Sequence, residues 1–181
     1  MKKLMFAFAT VLALATTISL SSCAEDPCKN VECGVHGTCN AGTCDCAVGY
    51  QKDTNGRCDL EVSQKFIGTF VQKDKAETVQ DTAYCTETYD IVIKKLGTDP
   101  SKIEISNFAG SATKFTATVS TTAPTTFVLD AKQTFTANGV VFAAEGSGSI
   151  TADGKTLTVK YVFSDSKGAR IFGCSASGLK K

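Results

Sequence analysis

The chain has 181 residues, 43% of them hydrophobic and 20% charged, a balance that excludes collagen-like, coiled-coil and disordered classes and leaves room for one or two small domains. Nineteen basic against eighteen acidic side chains give a net charge of +1, so no charge excess directs the chain to nucleic acid. The single histidine, His36, speaks against most His-dependent catalysis.

The first 22 residues read as an export signal. Lys2 and Lys3 precede an uncharged, mostly apolar stretch from Leu4 to Leu20. That stretch sits at the short edge for a membrane span, and no basic stop-transfer cluster follows it. Leu20-Ser21-Ser22-Cys23 resembles the bacterial lipobox, an aliphatic residue and two small residues before a cysteine. The resemblance implies cleavage before Cys23, diacylglycerylation of its sulfur and acylation of the new amine. Several acyl chains on one residue hold a protein to a bilayer, where a single chain is marginal. Cysteine arithmetic agrees: nine is odd, and setting Cys23 aside leaves eight to pair in an oxidising compartment. Residues 23–27 are then a lipidated linker. Its Glu25-Asp26 is similar to the acidic surface-export signals of Bacteroidetes lipoproteins, which implies an outer-membrane or cell-surface, lipid-anchored location.

Residues 28–59 form a separate small module. Cys28, Cys33, Cys39, Cys44, Cys46 and Cys58 crowd into a segment too short to bury a self-sufficient core. Six cysteines allow fifteen pairings. Zinc is disfavoured because Cys44-Asp45-Cys46 is not a C-x-x-C pair. The spacing, with Gly34, Gly37 and the Gly49-Tyr50 pair, resembles an EGF-like module. That family pairs first to third, second to fourth and fifth to sixth, which implies Cys28–Cys39, Cys33–Cys44 and Cys46–Cys58. Its calcium-binding members carry an acidic set before the first cysteine. Here Pro27 stands next to Cys28 and leaves only Glu25, Asp26 and Asn40 as oxygen donors, so no metal site is expected. His36 reads as an exposed turn residue.

From residue 62 to 181 the composition turns to Thr, Val, Ile and Phe with a period of two. Tyr89, Ile91 and Ile93 share one face; so do Ile103 and Ile105, then Phe115, Ala117 and Val119, then Leu157, Val159, Tyr161 and Phe163. The alternation and the turn signals predict eight strands, near 65–72, 84–95, 102–108, 114–121, 126–136, 140–151, 155–164 and 169–177. Consecutive hairpins predict an antiparallel eight-strand meander barrel whose closure removes exposed edges. Closure also brings the second and last strands near the first, which predicts a Cys85–Cys174 disulfide. Phe66-Ile67-Gly68-Thr69-Phe70 and the hairpin around Asp153-Gly154 resemble calycin or lipocalin-like barrels. The fold class expected is therefore mainly β: a disulfide-rich EGF-like module plus a calycin-like barrel.

No phosphate-binding glycine motif opens a helix, and Ser164-Asp165-Ser166 has no histidine in its own module, so neither an enzyme nor a cofactor is expected. Gly146-Ser147-Gly148 lies in strand context and reads as close packing or a bulge. Asp81-Thr82-Ala83 resembles the O-glycosylation acceptor of Bacteroidetes exported proteins, with Thr82 as the acceptor. Two functions fit these features. One is a monomeric, non-catalytic envelope lipoprotein that binds a protein or glycan, held to the membrane by its lipid, with the EGF-like module as spacer. The other is a carrier of a small apolar ligand in the barrel, provided that the inward Phe127, Phe135, Tyr161 and Phe163 leave a void.

Overall fold

The computed structural model describes residues 25–131, 133–137 and 139–181. The signal at 1–22 and Cys23 lie outside the described residues. In the disulfide-rich module, β1 (Gly37–Asn40) and β2 (Thr43–Cys46) form a hairpin, and β3 (Tyr50–Gln51) pairs with β4 (Leu60–Glu61). The disulfides are Cys28–Cys39, Cys33–Cys44 and Cys46–Cys58. The module's own core is little more than Cys33, Cys44 and Cys58, so its bridges carry its stability. Gradual reduction should therefore unfold this module before the barrel, whose signals in two-dimensional NMR should persist after those of residues 28–59 are lost.

The barrel strands are β5 (Gly68–Ala76), β6 (Thr88–Lys95), β7 (Lys102–Ser106), β8 (Phe115–Val119), β9 (Thr126–Leu129), β10 (Gln133–Ala137), β11 (Val140–Ile150), β12 (Thr156–Ser164) and β13 (Arg170–Lys180). Each pairs antiparallel with the next except β9, which β10 does not continue. β9 instead joins β11 to close an eight-strand ring, and β13 pairs with β5. The faces follow the alternation: Ile91, Ile93, Ile103, Ile105, Phe115, Ala117, Val119, Leu157, Val159, Tyr161 and Phe163 all enter one core. Residues 62–66 are a 3₁₀ turn rather than the start of the first strand, and its Phe66 is fully buried, packed edge-on against Phe127.

Two expectations need correction. The second strand begins at Thr88, so Cys85 lies in the loop before it, where it is bonded to Cys174. The single strand expected over 126–136 is broken. Asp130 accepts hydrogen bonds from Thr118 Oγ1 (2.6 Å), Thr116 Oγ1 (2.8 Å) and Lys102 Nζ (2.9 Å). The side-chain amide of Gln133 then takes both backbone groups of Thr116, accepting from its N–H (2.5 Å) and donating to its carbonyl (2.7 Å). A glutamine side chain thus stands in for a neighbouring strand, and β10 leaves the wall to pair with β11. Closure consequently does not remove every edge.

The module docks on one end of the barrel. Val62 N–H donates to the Gly49 carbonyl, Ser63 N–H donates to the Pro100 carbonyl, and Lys95 pairs with Glu61. Gly49 has φ +88° and packs so close to Pro100 that any Cβ would collide with its ring. Phe66 plugs this end. At the other end gather the loops 77–87, 107–114 and 165–169 and the β10–β11 hairpin.

Candidate functional site

At the end away from the module, the departure of β10 opens a cleft of about 400 Å³. The loop Ala109–Ala112 forms one side and Phe135–Ala137 of β10 the other, with Phe142, Phe163 and Phe172 between them. Among the described residues no charged side chain lines it, and Ser111 and Thr136 supply its hydroxyls. The rings are mutually braced: Phe135 stacks on Phe142 and meets Phe163 edge-on, Phe163 meets Phe172 edge-on, and Phe172 stacks on the half-exposed Tyr84. Such pairs fix ring orientation and add about 0.5–1.5 kcal/mol each beyond burial.

The loop side is built under strain. Asn107 (φ +58°) and Ala109 (φ +53°) are both left-handed, a conformation that disfavours alanine in particular. Asn107 Nδ2 donates to the Asp90 carbonyl at 2.7 Å and pins the start of the turn. Beneath it lies a polar stripe inside the barrel. Tyr89 donates from its hydroxyl to Asp74 Oδ1 at 3.0 Å, and the Tyr161 hydroxyl faces the same carboxyl. Burial pushes Asp74 above the ordinary carboxylate range against the opposing pull of the Tyr161 and Tyr89 hydroxyls, and burial also raises both tyrosines. Gln72 is fully buried beside them, its Nε2 donating to the Leu157 carbonyl at 3.4 Å.

Around that stripe the lumen is occupied. Phe66, Phe70, Phe108, Phe115 and Phe127 are buried to 1% exposure or less and interlock with the isoleucines of β6 and β7. Phe127 and Tyr161 are in this packing, whereas Phe135 stands at the mouth and walls the cleft. A ligand held deep in the barrel would have to displace these side chains; one seated at the mouth would not. Gly146 and Gly148 are packing glycines: a Cβ on Gly148 would sit 2.3 Å from the Phe127 ring.

The remaining sequence candidates scatter. His36 is half-buried rather than an exposed turn residue, stacked on Tyr50 with ring centroids 3.6 Å apart. Thr82 is exposed, but its hydroxyl donates to the Val79 carbonyl at 2.8 Å. The neighbouring Asp81 is fully buried and bound to Arg170, Gly173 and Thr78, so this carboxylate has a structural task of its own. Among the described residues no group of three or more His, Cys, Asp or Glu side chains is placed to hold a metal. A second groove of similar volume is lined by Lys73, Asp74, Lys75, Thr158, Ser175 and Ser177, polar and charged groups without the aromatic walls of the mouth.

The structure is a closed eight-strand antiparallel barrel with a disulfide-rich N-terminal module, an architecture compatible with a binding or carrier module. Comparison with protein-family models finds no match, and comparison with curated proteins finds none either.

Proposed function

We propose that the chain is a non-catalytic binding protein of the cell envelope, anchored by lipid at Cys23, that captures its partner in the aromatic cleft. The observation that carries the reading is the position of the cleft: it opens at the barrel end opposite the one on which the module docks. The EGF-like module is then a stapled connector, and the cleft points away from the anchored terminus. The eight described cysteines are all paired, which suits an oxidising setting. The carrier reading survives in narrower form, since the filled lumen leaves the mouth as the place for an apolar group.

The test is a titration of the soluble mature chain with N-phenyl-1-naphthylamine, a neutral probe whose fluorescence rises in apolar sites. Saturable binding is expected. Phe142→Glu, which sets a charge among the rings, should abolish it while the chain still folds cooperatively, with a melting temperature lowered by the loss of the Phe135–Phe142 stack. A folded chain with no saturable signal would remove the cleft as the site. The anchor is tested separately: in whole cells Cys23→Ser should move the protein from the membrane to the soluble fraction, and retention in the membrane would overturn the lipidation.

A further inference from the structure

β10 is an open edge placed beside the cleft. Among the described residues it pairs with β11 alone, because the amide of Gln133 already occupies Thr116 on the β8 side. The Ala137–Val140 pair closes a two-residue turn and is therefore hydrogen-bonded. By alternation, Thr134 and Thr136 turn their backbone N–H and C=O groups away from β11. Exposed edges are usually blunted by lysine, proline or a bulge. The run Gln133-Thr134-Phe135-Thr136-Ala137 carries neither lysine nor proline, and its register with β11 is unbroken.

We propose that this edge takes an extended, uncharged peptide segment by strand addition, which places apolar side chains of alternate residues in the cleft. The inference rests on the function proposed above and names the partner class for the same site. Two features favour a peptide. Five residues of free edge span about 17 Å, and side chains two positions apart on an added strand fall about 7 Å from one another on one face. The cleft beside the edge is walled by rings and free of charge among the described residues, so it matches apolar side chains while the edge matches a peptide backbone.

The test uses an end-capped, fluorescein-labelled peptide, Thr-Phe-Thr-Val-Thr-Phe-Thr, followed by anisotropy with the soluble mature chain. Two companions carry N-methyl groups on the odd or on the even residues. The parent should bind. One N-methyl series should lose roughly tenfold or more in affinity and the other should not, since one alternation faces β10. Thr134→Pro, which removes an edge donor at an exposed position, should weaken the parent similarly and leave the naphthylamine signal unchanged. Equal binding by all three peptides would overturn strand addition while the binding function stands. Failure of both peptide and naphthylamine would overturn the site itself. A wild-type dimer that Thr134→Pro dissolves would assign the edge to a second copy and overturn the peptide assignment.

Discussion

Replacing Cys85 and Cys174 together by alanine should cost about 4 to 5 kcal/mol of stability and lower the melting temperature by about 10 to 18 °C. The bridge joins residues 89 apart, about three-quarters of the barrel's chain, so its loss restores that loop's entropy to the unfolded chain. Chain entropy is only part of the effect. Cys174 is fully buried in β13, and Cys85, buried as well, lies in the loop 77–87, whose Tyr84 stacks on Phe172 at the cleft. Without the bridge that loop keeps the Asp81 contacts and the Tyr84–Phe172 stack. Loosening should thus start at the mouth, with faster amide exchange in 77–87 before any in β7 and β8. Guanidinium titration of the oxidised and alanine forms checks the magnitude. A loss below about 1 kcal/mol would mean that the unfolded chain is already held compact by other means.

Much of this fold was legible because only one face of each strand is apolar. The patterns at 89–93, 103–105, 115–119 and 157–163 have no competing helical phase, and all four match the buried faces. The Cys85–Cys174 pairing followed from these being the two cysteines left over and from ring closure, although Cys85 lies in the loop before the second strand rather than in it. The break between β9 and β10 was illegible for a definite reason: Thr126 to Thr136 reads as one strand, and what divides it is a side-chain amide bonded to Thr116 on another strand. The cleft shares that cause. Its rings come from β10, β11, β12 and β13, and Phe135 looked lumen-facing because sequence alternation reports a face, not a height along the barrel. His36 gave no sign of Tyr50, since a stack between a turn and a strand fourteen residues on leaves no periodicity to read. The same blindness touched Asp81-Thr82-Ala83: local reading saw an acceptor triplet, while the partners of Asp81 lie about ninety residues downstream.

Those partners make Asp81 the second site where one substitution should matter most. Its carboxylate accepts from Arg170 Nη2 at 2.7 Å, Gly173 N–H at 3.1 Å, Thr78 Oγ1 at 2.8 Å and Thr78 N–H at 3.0 Å, with no exposed surface. The Arg170 guanidinium, helped by the Thr78 hydroxyl and the Gly173 amide against the cost of burial, holds this carboxyl well below the usual carboxylate range. Its folded value is therefore lower than its unfolded one. The stability it contributes is fully present above the unfolded value near 3.9 and is lost as pH falls through the folded value. Asp81→Asn keeps the shape but points an amide donor at donors, and it leaves Arg170 without its counter-ion. The variant should melt well below wild type at neutral pH, by more than the loss of any one of the four hydrogen bonds. The gap should narrow on acidification, because the wild-type carboxylate protonates and loses the same advantage. Arg170→Met should reproduce part of the loss, and the double variant should fall short of the two losses added, as expected for contacting partners. Melting curves between pH 2 and 7 decide the matter: parallel curves for wild type and Asp81→Asn would mean that the carboxylate's charge does not hold the 77–87 loop to β13.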